Sequence, residues 1–100
     1  MKMIEQNSVD IALSRGEARE ITVVMRSERE WYFTFIADDP VTGKPNKYTL
    51  LTQRGKLRTW ADPKYLFKFL HERGVICGSF NLNWDKKHET VKYFSHNSSQ

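Results

Sequence analysis

Over most of this chain the apolar residues recur at every second position, and over residues 64–73 they recur every third and fourth. Period two marks a half-buried strand, and a period near 3.6 marks an amphipathic helix. Residues 20–25, with Ile21, Val23 and Val24, read as a strand, and the polar residues 27–30 break it. Residues 31–36 then alternate, with Trp31, Phe33 and Phe35 on one face and Tyr32, Thr34 and Ile36 on the other. Two such runs across a short break predict an antiparallel hairpin. Asp38, Asp39, Pro40, Gly43, Pro45 and Asn46 crowd turn formers into residues 38–46, which predicts an exposed loop. The strand pattern resumes over 47–52, turns at Gln53, Arg54 and Gly55, and returns over 56–60. On the returning run Leu57 and Thr59 face one way, and Lys56, Arg58 and Trp60 the other.

The helical segment carries its own stops. Asp62 suits the N-cap, Pro63 the first helical position, and Gly74 the close. Leu66, Phe69, Leu70 and Arg73 share one face, and Lys64, Lys68 and Glu72 share the opposite, wet face. Residues 76–84 read as another strand, with Phe80, Leu82 and Trp84 inward, and 90–94 as a last one. Near the N-terminus, Ser8 is a candidate cap for a short helix that ends at Gly16. These elements predict an α+β fold: an antiparallel sheet of four to six strands, one main helix packed on one face, and a short N-terminal helix. Residues 1–94 are expected to form one domain and residues 95–100 a disordered polar tail. One helix covers one sheet face, so Tyr32, Ile36 and Trp60 are expected on an open face, where a second copy could bind.

Composition narrows the chemistry. Of 100 residues, 39% are apolar, a low share, yet 13% are aromatic, and aromatics bury the most area each. The single cysteine, Cys77, leaves no internal disulfide, which fits a reducing cytoplasm. The first residues form no signal-peptide pattern and no apolar run reaches membrane-spanning length, so no membrane partner is expected. His71, His88 and His96 have no cysteine at zinc-like spacing, and Cys77 is read as a buried, inert thiol. Thr42-Gly43-Lys44-Pro45 lacks the first glycine of a phosphate loop, and Pro45 blocks the helix that should follow. No catalytic residue, metal or cofactor is expected, and the chain reads as a binding protein rather than an enzyme.

The net charge is +4, unevenly spread. Residues 1–39 carry five bases against eight acids, and residues 40–75 carry eight bases against two acids. A basic middle beside an acidic front attracts polyanions, although a lysine-rich sheet edge that resists aggregation leaves the same trace. Strand alternation sets Lys56 and Arg58 roughly 7 Å apart, near the spacing of successive phosphates. The candidate nucleic-acid-binding residues are therefore Arg54, Lys56, Arg58, Lys64 and Lys68, with Trp60 as a platform for a base. A structural contact of Arg58 over Trp60 is the alternative.

The run from Tyr48 through Gln53-Arg54-Gly55-Lys56-Leu57-Arg58 to Trp60, then a helix, Gly74-Val75 and Phe80-Asn81-Leu82-Asn83-Trp84, resembles small accessory proteins of plasmids and other mobile elements, described as partition-associated. The resemblance covers about residues 48–84. It implies plasmid maintenance or DNA-linked regulation and no particular activity. The leading expectation is a non-enzymatic accessory protein bound to nucleic acid through the basic hairpin and helix. The alternative is a protein-interaction module, an adaptor or inhibitor, that uses an exposed aromatic sheet face as a homodimer.

Overall fold

The computed structural model describes residues 1–82. The elements follow in the order β1 (Lys2–Ile4), α1 (Gln6–Ser14), β2 (Arg19–Ser27), β3 (Glu30–Asp38), β4 (Pro45–Leu50), α2 (Pro63–Glu72) and β5 (Ser79–Asn81). The fold is α+β, with one five-stranded sheet, a main helix and a short one. Trp84, the strand expected over 90–94 and the tail expected over 95–100 lie outside the described residues.

The strands lie in the order β1-β4-β3-β2-β5. The central strands β4, β3 and β2 are antiparallel, as the hairpin pattern predicts, while β1 joins β4 and β5 joins β2 in parallel. Only β3 runs against the other four. The helices cause this mixture. Each carries the chain back along the sheet, so the strand after it starts from the same end as the strand before it. Thus β1-α1-β2 and β4-α2-β5 are two crossovers, and both helices begin at the sheet end that carries the 52–56 turn.

Local signals account for α2. The Asp62 carboxylate accepts a hydrogen bond from the Lys64 amide at 2.9 Å, Pro63 follows as the first helical residue, and Gly74 takes φ +87° to end the helix. The short helix starts earlier than Ser8 predicts. The amides of Ser8 and Val9 both donate to the Glu5 carbonyl, so Glu5 holds the cap position and Ser8 lies within the first turn. In β2 two register shifts insert an extra residue opposite β3, near Glu20 and Arg26. Glu20 absorbs the first with φ 51°, a left-handed conformation that is strained for a residue with a side chain.

Both helices contribute to one core on one face of the sheet. Val9 of α1 and Leu66 and Leu70 of α2 pack with Val23, Phe33, Phe35, Tyr48, Leu50 and Trp60. The alternation of β3 is as expected, with Phe33 and Phe35 buried inward. Arg73 ties the helices together. Its Nε donates to Asp10 of α1 at 2.6 Å, and its guanidinium lies 3.6 Å from the Phe69 ring centre.

The opposite face is polar at its centre. Met3, Thr49, Thr34, Thr22 and Ser79 are successive cross-strand partners, one from each strand. Thr49 is fully buried and its hydroxyl donates to the Phe33 carbonyl at 2.6 Å. The hydroxyls of Thr22 and Ser79 lie 3.0 Å apart and link β5 to β2. On this face Tyr32 and Ile36 are half-buried, not the open aromatic surface expected there.

Candidate nucleic-acid interface

The chain leaves β4 into a tight turn. The Gly55 amide donates to the Thr52 carbonyl at 2.9 Å, and the Lys56 amide to the Thr52 hydroxyl at 3.2 Å. Gly55 has φ +81°, which a side chain would oppose. Beyond the turn the chain holds to the sheet only at two points, Leu51 opposite Leu57 and Trp31 opposite Trp60, so 56–60 is not a regular strand.

That irregularity decides where the candidate residues go. Arg54, Lys56 and Arg58 are exposed and come together along a cleft of about 650 Å³. Leu50, Leu51 and Leu57 give the cleft an apolar lining, and Glu5 and Gln6, at the start of α1, form the opposite wall. Lys64 and Lys68 are exposed on α2 and do not line this cleft. Trp60 departs from its expected role. It is 7% exposed, with its ring 5.2 Å from Phe69 and 6.2 Å from Phe33, so it serves the core and offers no face to a base. Arg58 sits 4.6 Å from the Trp60 ring centre, a structural cation–π contact.

The pairing of charges separates the cations into two groups. Lys2 pairs with Asp39, Arg19 with Asp38, Arg26 with Glu30 and Arg73 with Asp10. Arg54, Lys56, Arg58, Lys64 and Lys68 have no acidic partner among the described residues. Arg15, Arg29, Lys44 and Lys47 are unpaired in the same sense. Of the acids in residues 1–39, Glu30, Asp38 and Asp39 pair with bases of the same stretch, and Asp10 pairs with Arg73 of the basic middle. The bonds from Arg26 and then Ser27 hold the Glu30 carboxyl below its ordinary value, and Glu30 in turn raises the Arg26 guanidinium.

A second concavity lies between α2 and β5. It measures about 420 Å³ and is lined by Ile21, Val23, Phe67, Leu70, Ile76 and Phe80, with His71 and Cys77. Ile76 is 90% exposed, Phe80 61% and Leu82 56%, so Phe80 and Leu82 are not the inward core residues that alternation predicts. Phe80 instead meets Phe67 edge-to-face at 5.9 Å. Cys77 is exposed rather than buried, because β5 is a three-residue edge strand and leaves its approach uncovered. No hydrogen bond joins Cys77 to His71, and no group of three potential metal ligands occurs among the described residues.

Among the described residues no helix is long and apolar enough to cross a membrane. Comparison with known proteins yields no matching family model and no significantly similar curated protein or solved structure.

Proposed function

We propose that this protein is a non-enzymatic accessory protein that associates with nucleic acid in the cytoplasm, through backbone phosphates. The contacts come from Arg54, Lys56 and Arg58 on the hairpin, continued by Lys64 and Lys68 on α2. The observation that carries this reading is that, among the described residues, these five exposed cations have no acidic partner, as is also true of Arg15, Arg29, Lys44 and Lys47, while Lys2, Arg19, Arg26 and Arg73 each sit on a carboxylate. Unpaired, exposed cations release counterions when they meet phosphates, and that release drives binding. The resemblance to plasmid accessory proteins points to the same partner. With Trp60 in the core, the contact positions a backbone and carries no base readout from stacking.

The test is a binding isotherm on a labelled oligonucleotide, as duplex and as single strand, across a salt series. Five phosphate contacts predict that affinity between 50 and 200 mM salt falls roughly 500-fold for the duplex and roughly a hundredfold for the single strand. The variant with Arg54→Glu and Arg58→Glu should abolish binding while keeping its fold, since both side chains are exposed. A flat salt response, or no binding of either form at low salt, overturns the proposal.

A second reading is favoured by the apolar groove beside α2. Exposed Phe67, Ile76 and Phe80 line it together and form a patch that water-soluble chains usually cover. In this reading the groove is a protein-interaction surface and its occupant is a second copy of the chain.

A further inference from the structure

We infer that the cleft between the 52–58 hairpin and the start of α1 selects single-stranded over double-stranded nucleic acid, with one unpaired nucleotide seated in it. This rests on the nucleic-acid reading above and adds the state of the strand. The cleft is concave, at about 650 Å³, a size typical of sites that enclose a small molecule. A duplex is stiff and convex, and presents its phosphates on an outer surface with its bases stacked inside. It can reach Arg54, Lys56 and Arg58 only at the rim. A single strand can bend around the hairpin and turn a base out of its stack.

The lining suits such a nucleotide. Arg54, Lys56 and Arg58 line it as exposed cations able to meet phosphates, and Leu51 and Leu57 face each other across the turn as its half-buried apolar part. Aliphatic side chains give a base an apolar surface without reading its hydrogen-bonding edge. The cleft is therefore indifferent to base identity but sensitive to base presence. Among the lining residues, Glu5 opposes the phosphates and lowers the affinity of the site. Gln6, Thr52 and Gln53 are polar and uncharged, and compatible with either ribose or phosphate.

Fluorescence anisotropy on the full chain tests this with three labelled ligands of one length: a single strand, its duplex, and the same strand with consecutive abasic positions. The single strand should bind at least about tenfold more tightly than the duplex, and the abasic strand should lose about fivefold, at the low end of what an aromatic platform supplies. Glu5→Gln should tighten binding of the single strand. Unlabelled mononucleotide should compete weakly, since it brings one phosphate where the cleft and hairpin engage several. Strong competition by the mononucleotide would instead assign the cleft to free nucleotides and overturn the strand inference. Equal, salt-sensitive binding of duplex, single strand and abasic strand would overturn it while leaving the nucleic-acid proposal standing. Failure of all ligands to bind at low salt would remove both.

Discussion

The carboxylate of Asp39 organises the loop before β4 by gathering four donors. Lys2 Nζ lies 2.9 Å away, the Val41 and Thr42 amides 2.7 and 3.1 Å, and the Asn46 amide nitrogen 3.3 Å. The Lys2 bond first, then the two amides, pull its pKa from the ordinary 3.8 to about 2. A carboxyl that is more acidic in the folded chain adds stability above its unfolded value and loses it as pH falls through the folded one. Thermal unfolding followed from pH 5 downward should therefore show a decline that sets in around the unfolded value of 3.8 and levels off only below the folded value of about 2. Asp39→Asn should be less stable at neutral pH and lack that part of the decline. An acid limb unchanged in the variant would show that Asp39 does not contribute. The turn was legible from Asp39, Pro40 and Gly43 because those residues act within a few positions of themselves. The Lys2 partner was not legible, because it comes from β1, 37 positions away in the chain.

At the scale of the element, α2 and β5 mark the extremes of what the chain shows locally. Cap, first-turn proline, apolar face and terminal glycine of α2 all fall within residues 62–74, so each signal supports the next. β5 depends on a distant strand. Its approach to β2 is set by Gly78, where an added Cβ would stand 2.7 Å from the Ile21 carbonyl oxygen. Backbone cannot give way as a flexible side chain can, so Gly78→Ala forces the two segments apart. The expected cost is about 1–3 kcal/mol in denaturant unfolding. Because β5 has only three residues, local detachment is the cheaper response, and amide exchange at Ser79–Asn81 should quicken before the rest of the sheet opens. Unchanged stability together with unchanged exchange would contradict this account. The returning hairpin run shows the same limit from the other side. Alternation assigned Trp60 to the face of Lys56 and Arg58, but a segment held only by two isolated bridges does not preserve a strict two-residue phase.

Across the whole molecule, the order β1-β4-β3-β2-β5 brings residues far apart in sequence to one sheet end. α1 begins where β1 ends, beside the end of β4, so Glu5 and Gln6 face the hairpin of residues 52–58. Of the six residues chosen from the sequence, Arg54, Lys56 and Arg58 share that cleft; the wall opposite them is tertiary, and no local pattern announced it. The uncovered surface was misplaced for a related reason. The open sheet face is filled at its centre by the threonine row, and the exposed apolar area lies at the α2–β5 edge. A two-fold pairing of chains would set this groove against its own counterpart and bury the exposed Phe67, Ile76 and Phe80. If a second copy does so, light scattering should show mass rising with concentration toward a dimer. Ile76→Lys and Phe80→Lys should hold the protein monomeric with its secondary structure intact, since both side chains line the groove and are exposed in the single chain. Their effect on oligonucleotide binding separates the two surfaces. Binding that survives in the monomeric variants places the nucleic-acid contact within a single chain and away from the groove, whereas binding lost with the dimer would mean that the two clefts of a pair act together on one strand. A chain that stays monomeric at the highest attainable concentration removes the second copy as the groove's occupant.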